Sequence, residues 1–145
     1  MRGSGKQFGS ARERQARAGS KQVTTKGQGD QAEAMACAFL QGQGLRWVQS
    51  NFRSPGRGGG EIDLIMRDAD GTLVFVEVRQ RSRSDFGGAG SSIDGLKRSR
   101  IVFAARHYLM RMPSPPPCRF DVVLIDGGSN APAQVSWLKA AFDAS

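Results

Sequence analysis

The sequence predicts an α/β domain in the order α-β-β-β-α-β, a mixed sheet flanked by helices, and three observations carry that reading. Two stretches space their apolar residues at helical intervals. Four short runs are rich in β-branched and aromatic residues, and glycine- or proline-rich segments separate them. With 145 residues and 39% hydrophobic content, one core is the default. Residues 1–29 read as a basic, mobile tail and residues 30–145 as the folded domain.

"DQAEAMACAFLQGQG" sets Ala32, Met35, Ala36, Phe39 and Leu40 at helical spacing and ends on Gly42 and Gly44, so it predicts the first helix, starting at Asp30. "LRWVQSNF" predicts a strand, and "RSPGRGGG" a loop. "EIDLIMR" and "TLVFVEVRQR" are strands joined through the turn "DADG", which makes them a hairpin. "SRSDFGGAGSS" reads as a mobile glycine loop. The second helix follows, with Leu96, Ile101, Ala105, Tyr108 and Leu109 as its apolar stripe. After the prolines of "MPSPPPC" comes the strand "RFDVVLIDG". "AQVSWLKAAF" fits either a final strand or a helical turn.

The formal charge of +8 points to a polyanionic partner, but the excess is unevenly placed. Residues 1–30 hold seven cations and two acids, so the tail carries most of it, as a solvated segment rather than a dedicated DNA-binding arm. No stretch reaches the roughly 20 apolar residues of a membrane span, and no signal-peptide core opens the chain. A cytoplasmic protein without a membrane partner is the expectation. Cys37 and Cys118 lack metal-type spacing and read as small buried hydrophobes.

The chemistry concentrates in the hairpin. Alternation along "TLVFVEVRQR" puts Leu73, Phe75, Glu77 and Arg79 on one face, with Val74, Val76 and Val78 on the other. A carboxylate emerging from so apolar a strand costs several kcal/mol unless something meets it. Across the turn, Asp63 can reach the same depth. Two converging carboxylates with a cation two residues on are what a Mg²⁺ or Mn²⁺ site for phosphodiester cleavage requires, while a structural ion pair with Arg79 is the plainer alternative. Asp121 reads as paired with Arg119 or a backbone group. His107 reads as a helix-end or surface residue, and Glu61 as a solvated neighbour of Asp63.

The set Asp63, Glu77 and Arg79 resembles the PD-(D/E)XK nuclease signature. The blocks "TTKGQGDQAE", "LRWVQSNFR", "GGEIDLIMR", "VFVEVRQRS", "FGGAGSSI", "CRFDVV" and "WLKAAF", in that order, resemble the YraN-like uncharacterised family, akin to archaeal Holliday-junction resolvases. The resemblance implies a restriction-endonuclease-like fold with Asp63, Glu77 and Arg79 as catalytic residues. It implies Asp63, Glu77 and the helix acid Glu33 as metal ligands, although Asp30-x-x-Glu33 also has capping-box spacing. Arg79 stands where the signature has lysine; its guanidinium stays protonated, so it can stabilise phosphate charge but cannot act as a base. Arg53, Arg81, Arg83, Lys97, Arg98 and Arg100 are the expected phosphate contacts to duplex or branched DNA. The expected activity is metal-dependent DNA cleavage. A catalytically silent nucleic-acid-binding module and an assembly protein whose acids only hold the fold are the rivals, and a homodimer is left open.

Overall fold

The structure is a computed structural model describing residues 25–56, 59–81, 93–127 and 132–144. The chain separates into two compact units, residues 1–31 and 32–145. The elements are α1 (Thr25–Gly42), β1 (Arg46–Arg53), β2 (Glu61–Arg67), β3 (Leu73–Arg81), α2 (Gly95–Leu109), β4 (Cys118–Asp126) and β5 (Gln134–Phe142). The predicted order holds, and the undecided C-terminal stretch is a strand. The reading of residues 1–24 as a mobile tail, and of residues 82–92 as a mobile loop, lies outside the described residues.

All five strands form one sheet in the order β1-β2-β3-β4-β5. Neighbours are antiparallel except β3 and β4, which run parallel because α2 carries the chain back between them. At the β2–β3 turn Asp68 accepts from the Ala69 amide at 2.7 Å, and Gly71 adopts φ +93°. That left-handed position explains the glycine of "DADG".

Alternation along β3 is as predicted. Val74 and Val76 join Ala32, Ala36 and Leu40 of α1 in one apolar layer. Leu73 and Phe75 join Ile101, Ala104 and Ala105 of α2 in the other. Both helices turn narrow rows of small side chains to the sheet, and this displaces two predicted core residues: Met35 is 39% exposed and Leu96 is 63% exposed. Leu96 lies five residues before Ile101, well round the helix from the buried row.

The first helix starts at Thr25 rather than Asp30, so Asp30 lies inside it and the capping-box reading of Asp30 and Glu33 does not apply at its start. Its far end is as read. Gly44 takes φ +102° and the Leu45 amide returns to the Leu40 carbonyl at 3.1 Å. Of the two cysteines, Cys37 packs partly against the α1 layer, whereas Cys118 is exposed at the outer end of β4, contrary to expectation.

Glycine in "RGGG" has a packing role as well as a loop role. A Cβ on Gly60 would lie 2.7 Å from the Arg100 Cβ and 2.8 Å from its carbonyl oxygen. Residues with side chains never approach so closely, so only glycine lets the first half of α2 settle onto the entrance of β2. That contact sets the height of α2 above the hairpin acids.

Candidate active site

The paired register of β2 and β3 ends at Leu64 and Val76. One step further, the same register sets Asp63 opposite Glu77, where the two strands no longer exchange backbone hydrogen bonds. The Val78 amide, which leaves the ladder there, donates to Asp63 Oδ2 at 2.8 Å. The side chain has taken the place of the missing carbonyl. Glu77 continues the row of Leu73 and Phe75 on the α2 side and is buried.

The two carboxyl groups are close enough to hydrogen-bond to each other. Burial, and then the neighbouring Glu77 charge, push Asp63 up to about 7. Burial also raises Glu77, although Lys97, the Asp63 hydrogen bond and Arg79 act against the rise. Two acids of heightened proton affinity, sharing a hydrogen bond, are a pair short of positive charge.

Lys97 supplies some of that charge from the first turn of α2. Asp94 caps this helix, accepting from the Lys97 amide at 2.8 Å. The Lys97 ammonium lies 3.4 Å from Glu77 Oε2. The sequence placed Lys97 among the outward phosphate contacts, and the structure turns it towards the acid pair.

The remaining expected residues divide. Glu33 is not gathered with Asp63 and Glu77: among the described residues no three acidic, histidine or cysteine side chains converge into a metal-holding group. Its Oε1 accepts instead from Asn51 Nδ2 at 2.9 Å. Asn51 lies between the paired residues Ser50–Leu64 and Phe52–Ile62, so it stands across from Asp63, in the left-handed backbone region at φ +54°. Asparagine tolerates that region better than most residues. Sequence reasoning missed Asn51, which sits beside Gln49 and Ser50 in a strand whose polar residues gave it no distinguishing mark.

Arg53 is exposed and pairs with Glu61 at 3.4 Å, across the register that joins them. Arg81 grips Asp126 with Nε and Nη2, both at 2.6 Å. Arg98 and Arg100 are exposed on α2, and Arg83 lies outside the described residues. A groove of about 710 Å³ runs beside α2, lined by Arg98, Phe103, Arg106 and Phe142 among others. The acid pair is not part of it. His107, in the last turn of α2, packs its ring on Phe103 with centroids 4.6 Å apart.

Asp63 and Glu77 fit a hard divalent cation, since both present carboxylate oxygens at one place and both gain from positive charge. They would supply two ligands, with water or backbone oxygen completing the shell.

Comparison with known proteins agrees with the resemblance. The model of the uncharacterised protein family UPF0102 matches residues 32–125. A UPF0102 protein of Polaromonas naphthalenivorans (strain CJ2) is 66% identical over 129 residues, covering 86% of this chain and 84% of its own. One from Paracidovorax citrulli (strain AAC00-1) is 62% identical over 125 residues, covering 86% and 89%. One from Cupriavidus pinatubonensis is still 52% identical over 120 residues, covering 83% and 88%. The helix-flanked mixed sheet is consistent with the PD-(D/E)XK-like superfamily. With the match spanning both helices' core residues and four of the five strands, the chain belongs to UPF0102, the YraN-like family.

Proposed function

We propose that this protein is a metal-dependent DNA endonuclease that hydrolyses phosphodiester bonds, with branched or otherwise structured DNA as its substrate class. The observation that carries the reading is the Asp63–Glu77 pair: two acids on adjacent strands, pressed together with one ammonium 3.4 Å from Glu77, and with a raised affinity for positive charge. An arrangement meant only to hold strands together would pair each acid with its own cation.

Mg²⁺ or Mn²⁺ held by Asp63 and Glu77 would supply Lewis acidity, making a bound water more acidic and offsetting charge on the phosphate. The protein's own side chains do the rest. Arg79 extends the Glu77 row, and the planar fork of a guanidinium suits the non-bridging phosphate oxygens. Arg98 and Arg100, exposed on the same helix that brings Lys97 to the site, offer backbone contacts that read shape rather than sequence. Arg53 is exposed as well, though shared with Glu61. Arg81 is committed to Asp126 and is a weaker candidate. The substrate sets the compartment, and we take the protein to act in the cytosol. Among the described residues no helix is long and apolar enough to cross a membrane.

A panel of branched, flapped, nicked and linear duplexes, incubated with Mg²⁺, Mn²⁺ or EDTA, tests the reading. The wild type should cut at least one substrate with metal and none with EDTA. Glu77→Gln should lower the rate by several orders of magnitude while binding DNA as well or better, because a negative charge facing phosphate is gone. One observation favours a second reading, a silent nucleic-acid-binding module: among the described residues no third acid joins the pair. Binding to branched DNA without cleavage under either metal would establish that reading in place of the first.

A further inference from the structure

We infer that Lys97 is the site's internal counter-ion, standing beside the acid pair in the metal-free protein and giving way when a divalent cation binds. The inference rests on the metal site proposed above and adds to it a residue whose role is set by competition.

The geometry has three parts. Glu77 is 7% exposed, and its Oε2 has the Lys97 ammonium 3.4 Å away. Desolvation disfavours the charged form of such a carboxylate unless a neighbouring charge compensates it. The compensating side chain is itself 47% exposed, so its head can swing to water on its flexible stem without moving the helix. The helix, in turn, is fixed: Ile101, Ala104 and Ala105 are buried in the core, Asp94 caps the first turn, and Gly60 admits the Arg100 backbone at close range. A rigid stem base with a mobile charged tip suits a contact that must be made and broken. Arg79 is poorly suited to this role. It extends from the same strand as Glu77, two residues on, and its delocalised charge is spread over a planar fork rather than concentrated in one ammonium.

Competition has a clear sign. A cation that must displace an ammonium binds less tightly than one entering an uncompensated pair, so removing the ammonium tightens metal binding. If Lys97 merely decorated the surface, removing it would change nothing.

The experiment titrates Mn²⁺ into the wild type, Lys97→Met, Lys97→Gln, Asp63→Asn and Arg106→Gln, reading heat of binding and the shift in melting temperature, without DNA. Arg106 lies on the same helix about two and a half turns further on, so its loss removes an equal charge beyond a Debye length of the pair. Asp63→Asn should abolish the wild-type signal, which tests the metal site itself. Both Lys97 variants should bind Mn²⁺ on the order of tenfold more tightly, and Arg106→Gln should match the wild type. Lys97 variants that bind no more tightly than the wild type, with Asp63→Asn still abolishing binding, overturn the counter-ion and leave the metal site standing. Equal tightening in Arg106→Gln also overturns it, since the effect would then be the protein's overall charge. Absence of Mn²⁺ binding in every variant overturns the metal site, and the inference with it.

Discussion

Asp121 and the Asp63–Glu77 pair both interrupt apolar strands of one sheet, yet the fold surrounds them in opposite ways. Asp121 is 0% exposed and fully partnered: Arg119 Nε lies 3.1 and 3.2 Å from its two oxygens, Trp137 Nε1 donates at 2.9 Å, and the Ala140 amide donates at 2.9 Å. Arg119 is held in turn by Asp68 at 2.8 Å. Ala140 even adopts φ +50° where it donates. The hairpin acids receive one backbone amide, one ammonium at 3.4 Å and each other. Burial of charge alone therefore does not mark a functional site. What distinguishes the two regions is whether the surrounding groups complete the charge or leave it short.

The largest test of that contrast is Asp121→Ala, which strands the Trp137 indole and the Ala140 amide and leaves Arg119 with Asp68 as its remaining carboxylate partner. We expect a loss of about 3–5 kcal/mol in urea unfolding. A loss under about 1 kcal/mol would mean that water replaces the carboxylate and that the network is not a structural keystone. Gly60→Ala comes next. Its new methyl meets the Arg100 backbone inside contact distance, so overpacking of about 1–3 kcal/mol is expected. The lifted helix should also carry Lys97 away from Glu77, and the Lys97 side-chain resonances should report this. An unchanged melting temperature would show that α2 yields freely.

The smallest effect has the opposite sign. Asp63→Asn keeps an acceptor for the Val78 amide and removes one of two crowded acids, so at pH 8 in EDTA it should stabilise the protein by roughly 1 kcal/mol. The pH dependence follows from linkage. Asp63 rises from 3.8 unfolded to about 7 folded, so the folded state holds the extra proton. Its contribution is fully present below about pH 4 and is lost as pH rises through about 7. Wild-type stability should therefore fall relative to Asp63→Asn across that window. Parallel curves would show that the pair is not short of charge.

The element order was legible because strands of "EIDLIMR" type alternate cleanly and glycine or proline breaks separate them. The last strand was not, since "QVSWLKAAF" lies at the sheet edge with most of its residues exposed, and an edge strand has little burial pattern to read. The helix start was missed because "TKGQG" has two glycines and no apolar residue, so nothing in it announces a helix. Within the site, the acids were visible as charges in apolar runs. Lys97 was not assigned to them, because the distance from residue 97 to residue 77 is set by the crossover through α2 and by the Gly60 contact. Asn51 was hidden because a left-handed residue within a strand leaves no periodic trace.

The parallel pairing of β3 with β4 also bears on the time course of folding. Asp63 and Glu77 belong to a local hairpin, whose closure takes microseconds, whereas Lys97 reaches them only after the longer crossover has closed. The two acids thus meet before the ammonium arrives, and the contact with Glu77 should be absent from the transition state. Replacing Lys97 with methionine is then expected to speed unfolding and leave the refolding limb of a metal-free chevron unmoved. A slowed refolding limb would mean that the helix docks before the hairpin is complete. In the expected order, the pair passes through an interval in which its negative charge is formed and uncompensated, and at the proposed metal site a divalent ion present during refolding would be captured before the inferred competitor, Lys97, is in place.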